Sequence, residues 1–105
     1  MKIKMSTIAK IVCKEFNVTR EQLESSSRIR KFSIPRQAFY YVCHNNGHSF
    51  TKIGMFVGGR DHTTIMHGKR MAEGWIGIDR LNKIQTEAVT YSNNYYRLDK
   101  GEEDV

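Results

Sequence analysis

Between Ser49 and Trp75, two stretches with helical spacing of apolar residues are separated by one pair of glycines, Gly58-Gly59. Glycine adopts positive φ at little steric cost, so the pair can turn the chain within two residues. Ser49 suits a helix N-cap, and Ile53, Phe56 and Val57 follow it on an inward face. Beyond the turn a second helix is expected to begin near Asp61. An advance of about 100° per residue brings Ile65, Gly68, Ala72, Trp75 and Ile76 to one side, which is expected to be core. Thr63, His67 and Arg70 point the opposite way, with Arg60 near that side, while Asp61 and His62 lie in the first turn. A short helix, a tight turn and a longer helix form the outline of a helix-turn-helix.

The rest of the chain also reads as helical. Ile8, Ile11, Val12 and Phe16 share a face over residues 6–16, and Asn17 is a plausible stop. Thr19 with Gln22 matches a capping box opening a short helix that carries Leu23. Residues 25–33 lack periodicity and read as a loop bearing Arg28, Arg30 and Lys31. Ser33 and Pro35 mark the next helix start, with Ala38, Tyr41 and Val42 on its buried face and Asn45-Asn46-Gly47 ending it. A last helix is expected from Asp79 to about Tyr91, burying Leu81, Ile84 and Ala88. Arg80, Lys83 and Arg97 read as solvated charge. Residues 1–91 are thus expected to form one all-α domain of about five to six helices, followed by an acidic, poorly ordered tail over 92–105.

Charge is concentrated in the middle of the chain. Residues 28–70 carry eight basic residues and one acid, Asp61, whereas residues 71–105 carry four basic and seven acidic. A block of nearly unmixed sign in a small domain suggests a polyanionic partner. Two cysteines, Cys13 and Cys43, make no disulfide scaffold and fit a reduced, cytoplasmic setting. No apolar run approaches the ~20 residues that span a bilayer, so no membrane partner is expected.

GGRDHTTIMHG, residues 58–68, admits three readings. A phosphate loop needs G-x-x-x-x-G-K-[ST] after a strand. Here the lysine is missing and the preceding segment is helical, so no nucleotide is expected. A metal site could draw on Cys43, His44, His48, His62 and His67, but these lack paired zinc-ligand spacings. A metal-dependent nuclease would also need carboxylates, and the basic block holds only Asp61. Neither a metal nor another cofactor is expected, nor is a catalytic residue. A helix that reads DNA accounts for the basic block, the glycine turn and the polar helix start together. The plainer readings keep Asp61 as an N-cap, Thr63 and Thr64 as first-turn hydroxyls serving free amides, and His62 and His67 as surface histidines.

GGRDHTTIMHG resembles the signature of the C-terminal DNA-binding domain of the bacterial replication initiator DnaA, approximately I-G-x-x-F-G-G-R-D-H-T-T-V-x-H-A. Ile53-Gly54 matches its start, Gly58 through Thr64 match without a break, and His67 matches as well. IPRQ (residues 34–37) and the basic RIRK (residues 28–31) resemble elements upstream of it, so the similarity spans about residues 6–90. Val57 stands where the family usually has phenylalanine, Gly68 where it has alanine, and His44 near a family lysine. The segment from Gln37 to Gly58 is one residue short.

The resemblance implies a compact bundle of the Trp-repressor-like kind that reads a short duplex box through the major groove. It places Asp61, His62, Thr63 and Thr64 at bases, with Arg60 flanking them and Arg28 in the adjacent minor groove. It places Arg36 at a phosphate, and Phe50 and Thr51 at the backbone and a thymine methyl. Arg30, Lys31, Lys52, Lys69, Arg70 and His67 are expected at the DNA backbone, where contacts position without specifying. Asp can accept from cytosine N4, a Thr methyl can pack on the thymine methyl, and an arginine gains in a narrow A·T minor groove. The partner implied is double-stranded, A/T-containing DNA with DnaA-box-like sites, in the cytoplasm and nucleoid-associated. DnaA carries an ATPase module ahead of this domain and the chain has none. It is therefore expected to act as a freestanding box reader in control of replication initiation or transcription, of host, phage or mobile-element origin. The aromatic and acidic C-terminal stretch, with Tyr91, Tyr95 and Tyr96, admits an alternative role in binding the host initiator or another replication protein.

Overall fold

The computed structural model describes the backbone of residues 2–103 and the side chains of residues 2–94. Six helices follow one another: α1 Met5–Phe16, α2 Arg20–Glu24, α3 Arg30–Asn45, α4 Phe50–Phe56, α5 His62–Ile76 and α6 Ile78–Glu103. There is no strand among the described residues, in keeping with the all-α expectation.

Local sequence accounts for most boundaries. Asn17 takes φ 55° and closes α1. The capping box of α2 is complete: Gln22 N donates to Thr19 Oγ1 at 3.1 Å, and Thr19 N donates to Gln22 Oε1 at 2.9 Å. Gly47, at φ 92°, lets the chain leave α3. Helix α3 begins at Arg30, earlier than Ser33 and Pro35 suggest. The Ile29 carbonyl accepts from Phe32 N and Ser33 N, both at 2.9 Å, and so starts the helix upstream. Pro35 lies inside α3, where it cannot supply the amide that would reach the Lys31 carbonyl.

Helix α3 is the hub, packing against α1, α2, α4, α5 and α6. It buries Ala38, Phe39, Tyr40, Val42 and Cys43, rather more than half of its circumference at roughly 100° per residue, while Tyr41 is half-buried. Ile8, Val12, Leu23, Ile53, Ile65, Leu81 and Ile84 fill the space around it. Each such side chain contributes roughly 1.5–3 kcal/mol when fully removed from water. Burial also raises the Cys43 thiol pKa far above its usual range, so this cysteine is core rather than ligand.

Helix α5 approaches α3 most closely at Gly68. A Cβ there would stand 2.6 Å from Tyr40 Cδ2 and 2.8 Å from Cε2. Ile65, Gly68 and Ala72 are buried as expected. Trp75 is not core: it is 44% exposed. It lies roughly 60° around the helix from Ala72, where the Arg30 guanidinium covers its ring at 4.3 Å from the centroid.

The last helix starts at Ile78 and continues past Tyr91 to Glu103, further than apolar spacing suggests. Leu81, Ile84 and Ala88 are buried. Arg80 and Lys83 are not merely solvated. They meet Glu15 of α1 at 3.0 and 3.4 Å, and Arg80 also lies over the Phe16 ring. Lys10 Nζ donates to Tyr91 Oη at 2.9 Å. The side chains of Tyr95, Tyr96, Arg97 and the acidic terminus fall outside the described residues.

Candidate nucleic-acid interface

Helix α4 opens on Ser49, whose Oγ accepts from Lys52 N at 3.1 Å. At its far end the Gly54 carbonyl accepts from both Gly59 N and Arg60 N at 2.9 Å. Gly58 and Gly59 have φ of 96° and 82°, the left-handed turn their residue type permits. The turn folds so closely onto α4 that a Cβ at Gly54 would be 2.1 Å from the Arg60 carbonyl oxygen.

Asp61 is the N-cap of α5, its Oδ1 accepting from Thr63 N at 3.3 Å. The same oxygen is 3.0 Å from His62 Nδ1. Asp61, His62, Thr63 and Thr64 are all exposed, with His67 and Arg70 exposed further along the helix. The first turn therefore presents a carboxylate, an imidazole and two hydroxyls above a buried Ile65. Capping and outward display coexist at Asp61, because a carboxylate has lone pairs on both oxygens.

Beside α5, Lys69 Nζ donates to His44 Nδ1 at 3.0 Å, and the His44 ring stacks on Phe50 at 4.0 Å between centroids. Burial lowers the His44 pKa and the Lys69 charge pushes the same way, which favours the neutral ring that accepts this bond. An ammonium from α5 is thus held beside His44. Phe50 is half-buried by its stack, whereas Thr51 and Lys52 are exposed. Arg28, Arg30 and Lys31 are exposed around the start of α3, with Arg30 lying on Trp75.

Two of the arginines expected at DNA point inward in the free protein. Arg36, expected at a phosphate, is only 6% exposed. Its Nη1 donates to the Ser25 carbonyl at 2.7 Å and reaches the Leu23 carbonyl at 3.5 Å, while Nη2 donates to the Ser27 carbonyl. Burial lowers its pKa, and the neighbouring Arg60 charge adds to this effect. Arg60, expected beside the bases, donates through Nη1 to the Val57 carbonyl and, at 3.4 Å, to the Glu24 carbonyl. Its Nη2 donates to the Ser25 carbonyl. Apart from Ser25 Oγ, which Arg36 Nη1 reaches at 3.5 Å, the acceptors are main-chain groups, which side-chain patterns in a sequence do not announce.

No three His, Cys, Asp or Glu side chains gather as metal ligands among the described residues. No described helix is long and apolar enough to cross a membrane.

The model of the bacterial dnaA protein helix-turn-helix family matches residues 5–71. The chromosomal replication initiator protein DnaA of Bradyrhizobium sp. is 36% identical over 89 residues, covering 84% of this chain and 19% of that protein. The same protein from Rhizobium meliloti is 38% identical over 79 residues, covering 74% of this chain and 16% of that one. That from Rhodopseudomonas palustris (strain TIE-1) is 36% identical over 89 residues, again 84% and 19%. The chain thus spans less than a fifth of the length of these relatives. The family match takes in α1 to α4, the glycine turn and most of α5, and on that evidence the chain belongs to the bacterial DnaA family of DNA-binding helix-turn-helix domains.

Proposed function

We propose that this chain reads duplex DNA sequence-specifically at DnaA-box-like, A/T-containing sites. The observation that carries the reading is the exposed first turn of α5, Asp61-His62-Thr63-Thr64, held above a buried Ile65 and followed on the same side by His67 and Arg70. In this reading that turn meets base edges in the major groove, as the N-terminal end of a recognition helix does. Asp61 accepts from cytosine N4, and the Thr63 methyl packs on a thymine methyl. Arg28 enters the adjacent minor groove. Arg30, Lys31, Phe50, Thr51, Lys52, His67, Lys69 and Arg70 contact the backbone and fix register.

The proposed consequence is control of replication initiation or transcription through occupancy of such sites. No Walker-type phosphate loop occurs in the 105 residues, so the reading assigns them no nucleotide-driven step. Fluorescence anisotropy with a DnaA-box duplex and a scrambled duplex, across a salt series, tests the proposal. Preference for the box is expected, with a log–log salt slope near −0.9 per phosphate contacted. Equal affinity for the two duplexes refutes it.

A further inference from the structure

We infer that Arg60 and Arg36 are positioning residues that lock the Arg28 loop to the turn of the helix-turn-helix, so that the minor-groove and major-groove elements dock as one body. The inference rests on the DNA-reading proposal for its consequence, but the clamp itself is a property of the free protein. Residues 25–29 connect α2 to α3 and carry Arg28. Such a short link, exposed at Ser26, Arg28 and Ile29, would be free to sample many conformers without attachment.

Two guanidiniums from opposite sides supply the attachment. Arg36, on α3, holds the Ser25 and Ser27 carbonyls. Arg60, immediately before the N-cap of α5, holds the Glu24 and Ser25 carbonyls and also the Val57 carbonyl at the end of α4. The Ser25 carbonyl is therefore shared by both cations. The acceptors at Leu23, Glu24 and Ser25 include carbonyls of the C-terminal end of α2, which lack intrahelical partners and favour cations. A guanidinium is suited to this task because its planar fork spans several acceptors at once, which an ammonium cannot do. Within the loop, Ile29 N donates to Ser27 Oγ at 3.3 Å, so fixing Ser27 also steadies the residues flanking Arg28. Arg60 itself is fixed by the hydrogen bond its backbone N–H donates to the Gly54 carbonyl. A continuous path thus runs from the Arg28 loop through Arg60 to Asp61.

The test combines Arg60→Gln with Arg28→Ala. Binding of the box duplex is expected to weaken on the order of tenfold with either change alone, the usual scale of one base contact. In the Arg60→Gln background, Arg28→Ala is expected to cost less than about threefold more, because coupled residues are not additive. Arg60→Gln should leave the salt slope unchanged, whereas loss of a direct phosphate contact would lower its magnitude by about 0.9. A full additive penalty or a reduced slope overturns the inference. Amide hydrogen exchange on the DNA-free proteins supplies the independent readout. Exchange at the Ser25 and Ile29 amides, which donate to the Gln22 carbonyl and to Ser27 Oγ, should rise at least about tenfold in Arg60→Gln and in Arg36→Lys, with α5 amides unchanged, as expected for local opening. Unchanged loop exchange overturns the clamp. If wild-type protein shows no box preference while loop exchange rises, the DNA-reading proposal fails and the clamp stands. Global acceleration of exchange in both variants makes the arginines general fold determinants and also overturns the inference.

Discussion

Gly68→Ala separates helix propensity from packing, because the two predict opposite signs. In a helix interior, alanine is better than glycine by up to about 1 kcal/mol, so propensity alone predicts a more stable protein. The new Cβ, however, would stand 2.6 and 2.8 Å from two Tyr40 ring carbons. Tyr40 is 4% exposed and packs edge-on against Phe39 at 6.4 Å between centroids, so its ring cannot swing into solvent. Overpacking of this kind costs about 1–3 kcal/mol. Subtracting the propensity gain leaves a net loss centred on about 1 kcal/mol. For a domain of this size that is a fall of about 4–8 °C in Tm, measured by circular dichroism or calorimetry. In a Tyr40→Leu background the clash is absent, and the same change should be neutral or stabilising, giving a coupling of at least about 1 kcal/mol. A higher Tm for Gly68→Ala in the wild-type background, or an equal shift in both backgrounds, would refute the argument. An alanine at this position thus requires the Tyr40 ring to shift.

Two further predictions concern the proposed interface and the α1–α6 contact. His62→Ala or Thr63→Ala should weaken box binding by about 1–3 kcal/mol and relax specificity, whereas Lys69→Ala should weaken box and scrambled duplexes alike; anisotropy against single-base box variants measures both. Burial alone would raise the Glu15 pKa, but its bonds and charge pairing with Arg80 and Lys83 outweigh this and hold it below the ordinary 4.5. Because the folded-state value is the lower one, the stabilisation is complete above about pH 4.5 and is lost as pH falls through the folded pKa. Urea unfolding should therefore show a steeper acid-side loss of stability for the wild type than for Glu15→Gln.

Features written in side-chain type and spacing were legible in the sequence. Thr19 and Gln22 cap α2, Ser49 caps α4, and Gly58-Gly59 turn where their chemistry indicates. Ile65, Gly68 and Ala72 face inward by helical phase. Trp75 shares the inward phase yet stands exposed, because phase gives an angle but not the edge of the core, and at that edge Arg30 provides a cover. Helix α3 starts before Ser33 and Pro35, because Pro35 is permitted one turn further in when Ile29 has already begun the hydrogen-bonded helix. Helix α6 continues beyond the apolar stripe of Leu81, Ile84 and Ala88, because the spacing of buried residues marks a packed face and not a helix end. Arg36 and Arg60 belong to the matched motif, but the sequence does not reveal that they turn inward. Their shortest bonds go to carbonyls, which every residue possesses and which only the fold brings together.

The contact between Gly54 and the Arg60 carbonyl has a consequence for how such a domain can change. The separation of α4 from the start of α5 is set there by main chain against main chain, at a distance that excludes even a methyl group. The gauge of the motif is therefore independent of the residues displayed on it. Substitutions at His62, Thr63 or Thr64 can alter what is read while the two helices stay in register, so base preference can drift between relatives on an unaltered chassis. At Gly54 the converse applies: one added carbon shifts the aim of every displayed side chain at once.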